Sequence, residues 1–219
     1  MDTGSGNEPV DGVCTEPAQG QQSESLWAQE DETTDPVLDK LRGWHYTNGG
    51  ILQGLHLSQS SPYEYEFTAA TDIKAETMVT FIPDTLLMTA EDALNDSPTC
   101  KTIQEKGLLP KLKSQVLVPL AIHFMEHRRD PESPWADYFA TINPDLSNHL
   151  LFWTEEELEW LKGSEIIGYR KQQRQKISAD YRLLAENIDG FSEQFPEREF
   201  EESYKIVQSK IFAVADDDG

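Results

Sequence analysis

Positive charge is scarce in this sequence. Its 219 residues include 18 lysines and arginines against 40 aspartates and glutamates, which gives a formal net charge of −22. An approach to the phosphates of DNA or RNA would be repulsive, so we expect no nucleic-acid partner. An acidic chain of this kind is suited to solution or to contact with basic partners.

Cysteines and long apolar runs are scarce as well. Cys14 and Cys100 lie far apart and outside any C-x-x-C pattern, so we expect free thiols and a reducing location, cytoplasmic or nuclear. No apolar run reaches membrane-spanning length, and no basic region followed by an apolar region opens the sequence. We therefore expect neither secretion nor a membrane partner.

The first 36 residues contain no lysine or arginine and are rich in Gly, Ser, Gln, Asp and Glu. A segment of this composition buries too little apolar surface to offset the entropy lost on ordering. The sequence predicts a disordered acidic arm over residues 1–36 and a short acidic tail over residues 215–219.

Short extended segments follow a short helix in the next part of the chain. Apolar spacing in residues 37–50 predicts a helix that ends at Asn48-Gly49-Gly50. Three strands are predicted, over residues 51–57, 64–73 and 77–83. Thr89 and Asp92 have the spacing of a helix N-cap pair.

The character becomes helical from residue 108. One predicted helix has apolar residues at i, i+3, i+4 and i+7, namely Leu117, Leu120, Ala121 and Phe124. His123 and His127 are spaced i, i+4 in that helix. Because no third ligand is evident, we interpret them as part of a solvated helix face, and we expect no metal site.

Residues 133–163 combine six aromatic side chains with a T-x-x-E capping box formed by Thr154 and Glu157. This pattern predicts a well-specified helix with an aromatic anchor, ended near Gly163. Two more helices are predicted, one over residues 165–188 and a last one containing Phe200 and Tyr204. The predicted fold class is α+β, a partial sheet followed by an all-helical lobe.

Common catalytic constellations are missing from the sequence. It contains no P-loop, no G-x-G-x-x-G after a strand, no G-x-S-x-G elbow and no H-E-x-x-H. The residues alone therefore identify neither a reaction nor a catalytic group.

Two stretches, in the correct order, resemble one known family. Residues 69–89 read A-x-x-D-I followed by I-P-x-x-L-L-M-T, and residues 133–163 contain S-P-W-x-x-Y and F-W-T-x-E-E-L-x-x-L-x-G. Both are similar to the SET-domain protein methyltransferases, in the branch that includes the Rubisco large-subunit lysine methyltransferase. The resemblance implies the N-terminal part of a SET core in residues 37–95 and a helical insert in residues 96–214.

The resemblance also implies an activity. Members of this family transfer a methyl group from S-adenosyl-L-methionine to a protein side chain, usually lysine. Such a transfer runs in line from a sulfonium to a neutral amine, so positioning and exclusion of water matter most. The expected cofactor is S-adenosyl-L-methionine, and the expected partner is a lysine-bearing protein substrate.

The match to the family's cofactor motifs is uneven. Its E-G-x-G-like turn corresponds to Glu64, Tyr65 and Glu66, and its Ser-Arg pair beside the cofactor corresponds to Ser209 and Lys210. The resemblance implies cofactor binding by Glu64, Tyr65, Ser209 and Lys210. Both glycines, which permit close backbone approach to a ligand, are replaced here. Lysine keeps the charge of arginine but loses its planar fork.

Nothing after Phe212 resembles the family's N-H motif or its catalytic tyrosine. We therefore assign no catalytic residue and expect a truncated chain that is inactive alone. Three hypotheses stay open: part of an active protein-lysine methyltransferase, a catalytically dead SET-like protein that acts as an interaction module, or an unrelated acidic interaction protein.

Overall fold

The structure is a computed structural model, and it describes residues 35–212. The predicted arm lies outside these residues except for Asp35 and Pro36, which begin the first helix, and the predicted tail over residues 215–219 lies outside them entirely. The proposed boundary between residues 37–95 and 96–214 stays a prediction.

Within residues 35–212, short strands come first and helices dominate the rest of the chain. The strands are β1 (Ile51–Leu52), β2 (Leu55–Ser61), β3 (Glu64–Ala69) and β4 (Thr80–Phe81). The helices are α1 (Pro36–Thr47), α2 (Ala90–Asp96), α3 (Pro98–Glu105), α4 (Leu117–Arg129), α5 (Ala136–Phe139), α6 (Glu155–Glu159), α7 (Ile166–Asn187), α8 (Phe191–Gln194) and α9 (Glu197–Lys210). The predicted α+β class is confirmed.

The strands form two antiparallel pairs. Strand β1 pairs with β4, and β2 pairs with β3 in a hairpin in which Leu57 lies opposite Phe67. The single strand expected over residues 51–57 is wrong, because Gly54 adopts a φ of +68° and separates β1 from β2. A left-handed residue of this kind interrupts the extended backbone.

Helix α1 is bound to the strands by three side chains. Arg42 Nη2 donates to the carbonyl oxygen of Leu57 (2.7 Å), and the Tyr46 hydroxyl donates to that of Leu52 (3.1 Å). His45 Nε2 lies 3.0 Å from the Phe81 carbonyl oxygen. These bonds reach β2, β1 and β4, so α1 holds both strand pairs in place.

Helix α4 is buried on every side. Eight consecutive residues, 118–125, are buried, and α4 packs along α9 and against α2 and α3. The apolar face predicted from Leu117, Leu120, Ala121 and Phe124 is therefore only part of the buried surface of this helix. His123 is 1% exposed, so its assignment to a solvated face is wrong.

A second buried polar side chain binds the loop that precedes α4. Asp180 of α7 is buried, and its carboxylate accepts hydrogen bonds from the backbone N–H groups of Lys113 (2.6 Å) and Ser114 (3.2 Å). Burial raises the pKa of Asp180, whereas these two bonds act in the opposite direction. The carboxylate thereby satisfies two loop donors that precede the helix.

Local helix signals are confirmed, but one packing expectation is not. Thr154 and Glu157 form the predicted capping box at the start of α6, and Thr89 and Asp92 form another at the start of α2. Trp160, one of the six aromatic residues in the predicted anchor, is 90% exposed and does not contribute to it, whereas Phe139 of the same stretch is buried. Capping depends on neighbours in sequence, whereas burial of an aromatic ring depends on distant elements.

The helical lobe should be more stable than the strands. Residues of β3 and β4 are almost all exposed, whereas Phe200 of α9 is fully buried in the core formed by α3, α4, α7, α8 and α9. Phe200→Ala is expected to lower the free energy of unfolding by about 3–5 kcal/mol. Phe67→Ala, at a ring that is 59% exposed, should change it by only about 0.5 kcal/mol.

Urea unfolding followed by circular dichroism measures both variants, and hydrogen exchange of the unmutated protein measures local opening. Amides of β2 and β3 should exchange at least about tenfold faster than those of α4 and α9. Slower exchange in the strands than in the helices would contradict this ranking.

Candidate functional site

A cleft of about 780 Å³ opens between the strands and the helical lobe. Strands β1 to β4 supply one side, helix α1 runs along it, and α4, α5 and α9 supply the other side. Most of the wall is apolar. We refer to this space as the cleft.

The strand side of the cleft is built on the cross-strand pair of Leu57 and Phe67. Side chains two residues apart in a strand share one face. Leu55 therefore continues the same face of β2 toward the helices, and it also lines the cleft. The hairpin presents an apolar surface to the cleft although most of β3 is exposed.

The helical side of the cleft is built on a small buried cluster of Phe124, Phe139, Ile142 and Ile206. Phe124 and Phe139 meet edge to face with ring centroids 5.0 Å apart. Such edge-to-face pairs stabilise packing beyond the burial of their area. Lys210, the last residue of α9, and the following Ile211 and Phe212 complete this side.

The four residues assigned to the cofactor from sequence do not meet on one wall. Lys210 lines the cleft, as does Phe67, which is close in sequence to Glu64 and Tyr65. Tyr65 shares the face of Phe67, whereas Glu64 lies on the opposite face by strand alternation. Ser209 donates its hydroxyl to the Ile206 carbonyl oxygen within α9 (2.7 Å). Their assignment to cofactor binding stays a prediction.

The hairpin turn is built without glycine. Tyr63 adopts a φ of 63°, a left-handed conformation that costs free energy for any residue with a side chain. The Ser61 hydroxyl donates to the Glu64 carboxylate beside it. Glu64 is thus engaged in a local bond of the turn.

Helix α1 is the part of the wall that sequence analysis missed. The Trp44 indole N–H donates to the Pro134 carbonyl oxygen, and its ring stacks on Tyr138 with centroids 6.0 Å apart. Arg42, on the same helix, also lines the cleft. In the sequence, the spacing of Leu38, Leu41, Trp44 and His45 places them on one broad face of a helix. A short-range pattern of this kind does not show which distant elements that face contacts.

His123 is the most unusual polar group next to this region. It is 1% exposed, and both ring nitrogens lack a hydrogen-bond partner among the described residues. The rings of His127 and Trp135 lie edge-on to it, with centroids at 4.4 Å and 6.0 Å. Burial, and then the neighbouring His127, lowers the pKa of His123 from 6.5 to about 4.

The other side chains of residues 35–212 form neither a metal site nor a reactive thiol. No group of three or more His, Cys, Asp or Glu side chains able to hold a metal ion occurs in residues 35–212. Cys100 is a free, buried thiol, and burial raises its pKa to about 12, which makes it a poor nucleophile. Cys14 lies outside the described residues. No helix in the described part is both long and apolar enough to cross a bilayer.

Comparison with known sequences gives partial matches. No protein-family model matches the sequence. The actin-histidine N-methyltransferases of Danio rerio and Gallus gallus are 30% identical over 133 residues and 27% identical over 137 residues. These alignments cover 61% and 63% of this chain and 22% of each relative. The chain thus spans about a fifth of the length of the curated relatives it matches.

Solved structures decide the fold. Rubisco LSMT bound to AdoMet aligns with a TM-score of 0.67 at 18% identity, covering 82% of this chain and 42% of that one. The SET domain of LSMT bound to lysine and AdoHcy aligns with a TM-score of 0.65, covering 82% and 41%. The chain has a SET-type fold. The family resemblance in residues 69–89 and 133–163 is confirmed at this level.

Because His123 is buried without a hydrogen-bond partner among the described residues, we expect the protein to become less stable in acid. Its folded pKa of about 4 lies below the ordinary value of 6.5, so between these values the unfolded chain binds the proton more readily. The contribution of neutral His123 to the free energy of unfolding is fully present above pH 6.5 and is lost as the pH falls toward 4 and below. The loss is expected to total about 3 kcal/mol.

Urea unfolding at a series of pH values would measure this contribution as the difference between the unmutated protein and His123→Phe. The variant should lose less stability over this range. His56→Phe in the hairpin serves as a control for removal of a histidine outside the helical core. Parallel pH curves for the unmutated protein and His123→Phe would show that His123 is not the source.

Proposed function

We propose that this chain is part of an S-adenosylmethionine-dependent protein methyltransferase and is inactive by itself. The observation that carries the proposal is the cleft, which has Phe67 of β3 on one wall and Lys210 of α9 on another within a SET-type fold. A cofactor cradle of this type needs both chain segments beside one space. The neighbours bound to AdoMet or AdoHcy support this choice of cofactor.

The described residues fit this cofactor only in part. Lys210 and Arg42 are suited to its carboxylate, and the apolar wall is suited to its adenine. Among the described residues, the wall has no aspartate or glutamate to balance the positive charges of the ammonium and the sulfonium. Residues 35–212 do not make a complete cofactor site.

The acceptor that we propose is a lysine side chain of a protein substrate. Lysine is the ligand of one structural neighbour, the SET domain of LSMT bound to lysine and AdoHcy. Histidine is the competing acceptor, because the matched curated relatives are actin-histidine N-methyltransferases. We also propose a cytoplasmic or nuclear location, based on the expected free thiols.

A second function is favoured by one specific observation. The hairpin that would hold the cofactor has Glu64, Tyr65 and Glu66 where the family has a glycine-containing turn, and Glu64 is bound to Ser61. Bulky side chains there reduce close backbone approach. A catalytically dead SET-like protein that binds other proteins is therefore the alternative function.

Titration calorimetry of this chain with S-adenosylmethionine tests the partial fit. No saturable heat is expected at cofactor concentrations up to about 1 mM, because the ammonium and the sulfonium lack a carboxylate partner among the described residues. Sinefungin serves as a second ligand of similar shape, since it occupies a structural neighbour. Micromolar binding of either ligand would show that the described residues suffice.

Transcript sequencing beyond the codon for Gly219 separates the two functions. An N-H pair and a tyrosine-bearing segment in the extended reading frame would favour the enzyme. That extended protein, supplied with tritiated S-adenosylmethionine and cell extract, should label protein as methyl-lysine. Methyl-histidine in the hydrolysate would correct the acceptor, whereas no labelled protein would favour the interaction module.

A further inference from the structure

Lys205 of α9 is a cationic side chain buried without a carboxylate partner. It is 5% exposed, and its ammonium donates a hydrogen bond to Gln208 Oε1 (2.7 Å). No carboxylate among residues 35–212 lies within ion-pair distance of it, and this includes the buried Glu201 one turn earlier in α9. A buried charge costs free energy unless an opposite charge or several hydrogen-bond partners surround it.

Neighbouring cations do have carboxylate partners. Arg170 Nη1 lies 3.8 Å from Glu155 Oε1, and Arg198 Nε donates to Glu202 Oε1 (2.6 Å). Acidic side chains are abundant in this sequence, at 40 against 18 basic ones. A lysine that is buried without one of them is therefore unexpected, and an anion from solution would supply the opposite charge.

His149 supplies a second donor near Lys205. Its Nδ1 accepts a hydrogen bond from the backbone N–H of Leu151 (3.1 Å), so the neutral ring has its proton on Nε2. Burial, and then the positive charge of Lys205, lowers the pKa of His149, which places the two side chains near each other. His149 is exposed, and its Nε2 has no hydrogen-bond partner among the described residues.

Gln208 supplies a third donor group. Its Oε1 is occupied by Lys205, so its amide nitrogen keeps both N–H groups for another acceptor. The ammonium of Lys205 likewise has N–H groups left over. These donors lie where α9 meets the helical turn Leu150–Phe152, which begins directly after His149. An oxyanion with several oxygens accepts hydrogen bonds from more than one direction, so it fits such a set of donors.

This group of side chains lies outside the cleft. Ile206 and Val207 line the cleft, whereas Lys205, Gln208 and His149 do not. Successive residues of an α-helix are rotated by about 100°, so Lys205 faces a different side of α9 from Ile206. A ligand at Lys205 is therefore independent of the cofactor and of both proposed functions.

We propose that Lys205, Gln208 and His149 bind a small oxyanion of the phosphate class, either free phosphate or a phosphate monoester. The ammonium of Lys205 supplies the opposite charge, and the N–H groups of Gln208 and His149 orient the oxygens. The bound anion joins the turn at Leu150–Phe152 to α9. Because the net charge of −22 repels anions, the Kd is on the order of 1 mM.

Titration of the unmutated protein with inorganic phosphate, followed by amide-resolved NMR spectroscopy near neutral pH, tests the site. Sodium chloride keeps the ionic strength constant. The backbone amide of Leu151 and the side-chain amide of Gln208 should shift saturably, with a Kd of about 1 mM. Lys205→Met keeps the length of the side chain but removes its charge, so it should raise the Kd at least about tenfold. Chloride alone should give no saturable shift.

Matched controls separate the site from general effects of charge. Lys162→Met removes an exposed lysine that pairs with Glu159, and it should leave the Kd unchanged. Circular dichroism confirms that each variant is folded. Gln208→Leu and His149→Phe, each expected to raise the Kd about threefold, provide the test if Lys205→Met does not fold.

Phosphoserine distinguishes the two sources of the anion. A Kd equal to or below that of inorganic phosphate would identify a phosphate monoester as the ligand, and a higher Kd would identify the free ion. No saturable shift with either probe up to about 20 mM, or an unchanged Kd in folded Lys205→Met, would overturn the proposal. Lys205 would then be buried as a neutral amine.

Discussion

Burial of helix α4 is the constraint on which the rest of the structure depends. Residues 118–125 are enclosed on all sides, so this helix must be surrounded by other elements before the chain is stable. Helix α9 covers it along its length, and α2 and α3 cover other sides. Phe124 extends from the same helix to the cleft, so the position of the helical wall follows from the packing of the core.

The strands depend on the helices more than on each other. Two-stranded pairs are marginal in water, since each buries little apolar surface. Here α1 binds β1, β2 and β4 through Tyr46, Arg42 and His45, and Trp44 and Trp135 join the same region to the helical lobe. Helix α1 also packs against α5, so it joins the strands to the helical lobe along one side of the cleft.

Fold and function rest on different observations in this protein. The SET-type fold follows from backbone agreement over 82% of the chain. A methyltransferase site requires groups that neutralise and orient a charged cofactor. Among residues 35–212, the cleft wall has Arg42 and Lys210 but no aspartate or glutamate. Activity must therefore be assigned from the groups at the site rather than from the fold.

Family-level motifs predicted the SET-type fold correctly because two separate stretches, residues 69–89 and 133–163, match the family in the correct order. The same motifs were less successful in predicting which side chains meet at the cofactor site. Lys210 lies on the cleft wall, but Ser209 bonds within α9 and Glu64 bonds to Ser61. The partners of a side chain at a motif position depend on the residues that surround it in the fold, so a motif locates a segment better than it locates a contact.

The sequence by itself determined the α+β class, the starts of α2 and α6, and the extents of α1 and α7 to within a few residues. Capping boxes and apolar periodicity act between residues close in the chain, so they can be read without a structure. Only the tertiary structure decided that His123 is buried, that Trp160 is exposed and that α1 lines the cleft. Those outcomes depend on which distant elements pack together, and no local pattern encodes that choice.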